Sequence, residues 1–319
     1  MVRRGPSTLN CVIGVDKPAG MTSHDVVGRL RHVLGERRIG HAGTLDPAAT
    51  GVLVIGIGQG TRLLGLLGAD GKSYDALIRF GSETTTDDAE GDVVRTAEVP
   101  SELGQETFAR SLLSSFEGRL MQVPPAYSAV FVDGRRAYDI ARSGGEVRLE
   151  PRPVTVRSAR LIAIEPFEES GAAPQGGALC WRCHFDVSKG TYIRSLARDI
   201  GRRAHSAAQL AGLRRTSSGR VTLADCLTLE VLEREGRVAV EGRLLDPTHL
   251  LGAPIYALSD ERATEAAAGR RIKAPEYVSE GKRVCLIHKG GLVGVWRRVG
   301  STLCCDVNFP QAIEGVRPR

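Results

Sequence analysis

The chain has 319 residues, of which 42% are hydrophobic and 25% charged, with a formal net charge of +6. That composition excludes a collagen, a coiled coil and a disordered tail, and no apolar run approaches the ~18 residues needed to span a bilayer. The first ten residues lack the apolar stretch of a signal peptide, and seven scattered cysteines, an odd number, point to a reducing cytoplasm rather than a disulfide framework.

In chain order, Asn10–Val15 reads as a strand that ends at Asp16-Lys17-Pro18. Thr22 or Ser23 then caps a helix whose apolar face is Val26, Val27, Leu30, Val33 and Leu34. Val52–Ile57 is continuously apolar, as in a strand buried on both faces. A short helix around Leu63–Leu67, a strand at Tyr74–Phe80 and an acidic loop at Ser82–Asp92 follow. Thr107–Phe116 reads as a helix. Ala126–Phe131 reads as a strand, turned at Asp133-Gly134 into a short helix near Tyr138–Arg142. Val154–Ile164 and Leu179–Val187 alternate like a hairpin, with the connection Pro166–Gly177 between them. From Thr191 a helix runs to about Ala204 on the stripe Ile193, Leu196, Ala197, Ile200 and Ala204. Arg198 and Arg202 fall opposite that stripe and Arg194 at its edge, within reach of a cleft. Beyond Gly252 come a helix at Asp260–Ala268 and β-like runs at Val284–His288, Leu292–Arg298 and Leu303–Val307. Strands and helices mix without βαβ regularity, so the class is α+β, with domains expected at 1–250 and 251–319.

Charge is distributed unevenly. Residues 178–220 hold nine basic and two acidic residues, whereas residues 70–120 hold five basic and eleven acidic. The basic segment reads as a polyanion footprint, nucleic acid first, or as a solvated charged face. Thirty-seven of the 43 basic residues are arginines, the side chain that forks onto phosphates.

The most informative stretch is GHAGTLDPAATG, Gly40–Gly51. Pro47 pushes Asp46 into an extended conformation, and the loop leads straight into the apolar run from Val52. One carboxylate is thus presented at the edge of a core strand, as a catalytic group or as the cap of a turn.

The ordered motifs resemble the TruB family of tRNA pseudouridine synthases. GHAGTLDPAATG is similar to that family's catalytic loop, with Asp46 in place of its essential aspartate. DKPAGMTSHD (Asp16–Asp25), KSY (Lys72–Tyr74), TTTDDAEG (Thr84–Gly91), the RNA-clasping stretch Gln122–Arg142, SKGTYIRSLARDIG (Ser188–Gly201) and LRRTSSG (Leu213–Gly219) resemble further family segments in the same order. The departures are Thr85, where a second acidic residue is common, Phe131, where a lysine is common, Arg203–Ser206 in place of a glycine-containing turn, the Pro166–Gly177 insertion, and a weak match from about residue 252 onward. The resemblance implies a pseudouridine synthase fold: a mixed, mostly antiparallel central sheet flanked by helices, plus a small β-rich C-terminal PUA-like domain.

It implies a uridine in the tRNA T-loop as substrate. The glycosidic bond is cleaved and the base rejoined through C5, without net oxidation or hydrolysis, so no cofactor or metal is expected. Asp46 would carry the chemistry, with Arg194 as its cationic neighbour and Asp88 orienting that guanidinium. Tyr74 would stack on the flipped base, with Tyr192 and Leu213 lining the pocket and His41 filling the vacated space. Lys17 would support the Asp46 loop or meet a phosphate. Arg198, Arg202, Arg203, Arg214, Arg215 and Arg220 would form a phosphate track. The T stem-loop is the expected partner; no membrane or partner protein is needed, and a monomer is expected. Cys180-Trp181-Arg182-Cys183 reads as strand rather than zinc site, since no second ligand pair matches it. The rival readings are an RNA-binding or RNA-folding protein and a synthase acting on another RNA.

Overall fold

The chain folds into two units, Met1–Asp70 with Ser217–Arg319, and Gly71–Thr216. The computed structural model describes residues 7–317 apart from 69–70, 129, 133, 144, 146 and 167–178, so the insertion at Pro166–Gly177 lies almost wholly outside the described residues. The fold is α+β with a large mixed sheet and a C-terminal β half-barrel.

The first unit opens with β1 (Cys11–Lys17), α1 (Ser23–Leu34), β2 (Ile39–Ala42), β3 (Thr50–Ile57) and α2 (Leu64–Leu67). Helix α1 starts where its sequence provides a capping box: Thr22 Oγ1 accepts from the Asp25 amide, and Asp25 accepts from the Thr22 amide. Gly35 ends it with a left-handed cap at φ 61°. Strand β3 pairs antiparallel with β1, from Cys11 opposite Ile57 to Lys17 opposite Gly51, and with β2 on the Ile39–Ala42 stretch.

The second unit contains β4 (Lys72–Phe80), β5 (Ser82–Thr84), β6 (Val93–Thr96), α3 (Glu106–Ser114), β7 (Gly118–Gln122), β8 (Phe131–Val132), β9 (Arg135–Arg136), α4 (Ala137–Arg142), β10 (Arg152–Pro166), β11 (Leu179–Val187), α5 (Ile193–Arg203) and most of β12 (Ala208–Ser218). Its strands run in the order β12-β4-β11-β10-β7. Tyr74, Ala76, Ile78 and Phe80 line the buried face of β4, and Phe80 meets Trp181 edge-on at 4.7 Å. Gly201 lets α5 lie close on the chain that follows it, because a Cβ there would fall 2.6 Å from the Ala208 amide nitrogen.

Two expectations for this unit need correction. Ser82–Asp92 is not all loop: its first three residues pair with β6 as a hairpin. Of the strand expected at Ala126–Phe131, Ala126, Tyr127, Ser128 and Val130 are not strand, and Phe131 alone pairs, in β8. The carbonyls of Val123 and Tyr127 accept from arginine side chains, and those of Ser128 and Val130 from the amides of Tyr138 and Ala137, so no ladder forms there.

The first unit resumes with β13 (Val221–Thr222), β14 (Cys226–Thr228), α6 (Leu229–Glu235), α7 (Arg237–Gly242), α8 (Pro247–Leu251), β15 (Ile255–Ala257), α9 (Asp260–Ala267), β16 (Ile272–Lys273), β17 (Arg283–His288), β18 (Gly291–Val299) and β19 (Thr302–Ile313). Strand β14 pairs parallel with β1. The last five strands form their own sheet, in the order β15-β17-β18-β19-β16. This sheet is buried on both sides. Val284, Leu286, Trp296 and Leu303 pack with Ala266 of α9. Cys285, Ile287, Val295, Phe309 and Ile313 share a core with Val12, Val52 and Val54 of β1 and β3. The opposite face of β1 and β3, with Ile13, Val15, Leu53 and Ile55, packs on Val26, Val27 and Leu30 of α1. Double burial explains the unbroken apolar runs at Val52–Ile57 and Val284–Ile287. The boundary expected at residue 250 therefore falls inside this unit, where a hydrophobic core crosses it.

Candidate active site

Asp46 sits in the first unit, on the loop between the paired strands β2 and β3. Its carbonyl accepts from the Ala49 amide at 3.1 Å, closing a turn with Pro47 at the position where a fixed φ is favoured. Ser23, the first residue of α1, accepts from the Leu45 amide at 2.9 Å and donates to the Leu45 carbonyl at 3.2 Å. Lys17 is fully buried at the end of β1. Its ammonium donates to the carbonyls of Pro18 (2.8 Å), Met21 (2.6 Å) and Pro47 (3.1 Å). Those bonds offset the cost of burying the charge. These bonds fit the loop-support role among the two expected for Lys17. Asp46 itself is half-buried. His41, on β2, is half-buried and stands edge-on to His24 at 6.1 Å.

The other expected groups belong to the second unit. Tyr192 is the N-cap of α5, and its backbone is gripped by one side chain: its amide donates to Gln122 Oε1 at 2.9 Å and its carbonyl accepts from Gln122 Nε2 at 3.1 Å. Sequence reasoning passed over Gln122 as a site-building residue; a buried amide side chain in a polar strand end leaves no pattern. Arg194 is 6% exposed. It donates to the Thr86 carbonyl at 3.1 Å and the Tyr127 carbonyl at 3.0 Å, with Asp88 Oδ2 3.6 Å away. Asp88 Oδ1 accepts from the Thr86 hydroxyl at 2.5 Å and the Glu90 amide at 3.1 Å. The turn is closed by Gly91, where a Cβ would lie 2.4 Å from the Thr86 hydroxyl oxygen. Tyr74 is buried on β4 opposite Phe185, while Tyr192 and Leu213 are half-buried.

Of the expected phosphate track, Arg202, Arg203 and Arg220 are exposed, and the other three arginines are wholly or partly buried. Arg198 is buried, and its guanidinium donates to Asp87 (2.8 Å), to Asp199 (3.0 Å) and to the Val123 carbonyl (3.0 Å). Arg202 forks onto Glu83, with Nη2 2.7 Å from Oε2. Glu83 also accepts from Arg95 at 2.5 Å. Burial acts to raise the Glu83 carboxyl, but Arg202 and Arg95 overcome it and hold the group below its ordinary value. Arg215 is fully buried, and Arg214 is half-buried. Arg194, Arg198 and Arg202 follow the i, i+4, i+8 spacing of one helical face, and each meets an acidic residue of the 83–88 stretch. The acidic and basic segments of the sequence are thus, in good part, partners of each other.

Cys180 and Cys183 lie on β11, three residues apart and so on opposite faces. Burial pushes their thiols up to about 11 and about 12, which leaves them protonated and inert. Among the described residues, no group of three or more His, Cys, Asp or Glu side chains could hold a metal ion.

Residues 31–193, a segment containing His41, Asp46, Tyr74, Asp88 and Tyr192, match the family described as TruB family pseudouridylate synthase (N terminal domain). The tRNA pseudouridine synthase B of Arthrobacter sp. (strain FB24) is 44% identical over 269 residues, covering 83% of each chain. The chain belongs to the TruB family. It is accordingly a pseudouridine synthase, an isomerase. The protein of the same name from Mycolicibacterium paratuberculosis is 43% identical over 263 residues, 82% of this chain and 85% of that one. In fold, the TruB-family chain is similar to a chain of a Cbf5-Nop10-Gar1 complex, with a TM-score of 0.64 at 22% identity, over 97% of this chain and 90% of that one.

Proposed function

We propose that the chain converts a uridine in the T-loop of tRNA to pseudouridine. The N1–C1′ bond breaks, the base turns, C5 bonds to C1′, and the proton lost from C5 is balanced by one gained at N1. Atoms and electrons balance within the substrate, so no cofactor is required. Asp46 supplies the carboxylate. Arg194, Asp88 and Tyr74 complete the catalytic set, with Tyr74 stacking on the flipped base. Tyr192, Leu213 and His41 line the base pocket. Ion pairing buries Arg198, and phosphates fall to exposed basic residues such as Arg202, Arg203, Arg270, Arg271 and Lys273.

The observation that supports this reading best is the fixing of the Asp46 loop. Ser23, Lys17 and the Asp46–Ala49 turn hold its main chain at three points, as preorganised chemistry requires. The test is to incubate the protein with unmodified tRNA and map pseudouridine by chemical probing. Product at a single T-loop uridine is expected. Tight RNA binding without product would replace the reading with that of an RNA-binding protein, and product elsewhere with that of a synthase for another RNA.

A further inference from the structure

Arg198 lies one turn beyond Arg194 on α5, and the two guanidinium groups are used in parallel. Arg194 bridges Thr86 in the acidic turn and Tyr127 in the segment after β7. Arg198 bridges Asp87 in the same turn and Val123 in the same segment. Asp87 stands in sequence between Thr86 and Asp88, the two turn residues that hold Arg194. Its φ of 61° is left-handed, a conformation an aspartate adopts only at some cost. Its amide donates to the Thr84 carbonyl at 3.2 Å and its carbonyl accepts from the Leu210 amide at 3.1 Å. Both side chains of the Arg198–Asp87 pair are 11% exposed. Burial pushes the Asp87 carboxyl up against the pull of Arg198 and Arg194, so its charge depends on those guanidinium groups.

We propose that Arg198 and Asp87 are a positioning pair for the isomerisation: they set the course of residues 86–88, and through the Thr86 carbonyl and Asp88 carboxylate they aim Arg194. The inference rests on the functional reading above, in which Arg194 and Asp88 belong to the catalytic set. Two features support it. Asp88 lies 3.6 Å from Arg194, beyond hydrogen-bond length, so it acts on that guanidinium by charge and its effect varies with small shifts of the turn. The Thr86 carbonyl is main chain, and it moves only if the turn moves. The Glu83–Arg202 pair holds the hairpin further back, at β5, and leaves the tip to Asp87.

Asp87→Asn tests this, because asparagine tolerates the left-handed turn while losing the charge. The expected result is a fall of about tenfold or more in the single-turnover rate constant on a T stem-loop RNA, as for other orienting partners. The RNA dissociation constant should stay within about twofold, since the pair meets no phosphate. The decisive measurement is the cycle with Asp88→Asn. If Asp87 acts through Asp88 and Arg194, the double variant should be no more than about threefold slower than Asp88→Asn alone. Arg198→Lys, which keeps the buried charge but not the fork, gives the same readings should Asp87→Asn unfold. An unchanged rate in the folded variants, or fully additive losses in the cycle, overturns the inference. A wild type that makes no pseudouridine overturns the functional reading and the inference with it.

Discussion

The Lys17 ammonium lies 3.1 Å from the carbonyl of Pro47, the residue that follows Asp46. The same carbonyl accepts from the Gly20 amide at 2.9 Å. A buried cation and a main-chain donor thus converge on one oxygen beside the candidate catalytic aspartate, and the charge serves geometry rather than ligand.

Lys17→Met should therefore leave RNA affinity and its salt dependence unchanged while slowing the chemical step. The substitution keeps the volume but strips three carbonyls of a donor; Pro47 keeps the Gly20 amide, and the loss at Pro18 and Met21 costs roughly 1–3 kcal/mol for each buried group left unsatisfied. Thermal unfolding, salt-dependent filter binding and single-turnover rates measure the three effects. A reduced salt slope would return Lys17 to the phosphate contacts.

Asp46→Asn should abolish turnover and keep RNA affinity near that of the wild type, because the proposed reaction assigns chemistry to the carboxylate and affinity to phosphate contacts. Single-turnover assays beside filter binding check this. Measurable conversion by the asparagine variant would remove Asp46 from the centre of the mechanism.

Glu83 gives a pH prediction. Its carboxyl is held below the ordinary glutamate value by Arg202 and Arg95 against the effect of burial. A carboxyl lowered in the folded state contributes stability that is fully present above its unfolded value and is lost as pH falls through the folded one. Glu83→Gln should be less stable than the wild type near neutrality, and the difference should shrink on acidification below the ordinary glutamate range. Denaturant midpoints across pH 3–7 (a span of about four units) measure it. A difference that is constant with pH would show that the pair contributes packing alone.

Removal of residues from about 252 onward should destabilise what remains. The truncation uncovers Val12, Val52 and Val54, each worth roughly 1.5–3 kcal/mol when fully buried. A lowered melting temperature and aggregation are expected, in place of a well-folded enzyme with weaker RNA binding. A soluble truncated chain with the wild-type melting temperature would show that the shared core contributes little.

Much of this was legible before any coordinates. The α1 stripe, the Thr22 cap and the doubly buried run at Val52–Ile57 each follow from local chemistry, and all are seen. The Asp46 loop was legible because Pro47 and its glycines restrict the main chain locally. What the residues could not reveal was pairing at a distance. Arg198 falls opposite the apolar stripe, where solvent is the default, and nothing local says that an acidic turn more than 100 residues earlier covers it, or that Glu83 pairs with Arg202. Gln122 escaped for the same reason. Most of the strand expected at Ala126–Phe131 did not form because the carbonyls of Tyr127, Ser128 and Val130 are claimed by Arg194 and α4, partners that no window of sequence contains.

The two units also differ in how they can be made. Residues 71–216 are contiguous, so they can fold as they leave the ribosome. The other unit cannot. The Asn10 carbonyl waits for the Glu314 amide, and Val12, Val52 and Val54 wait for Phe309 and Ile313. The strands that frame Asp46 are therefore synthesised well before the strand that completes their burial. Nascent chains halted before β19 would leave Val12, Val52 and Val54 without Phe309 and Ile313, so the scaffold of Asp46 closes only once β19 has been made.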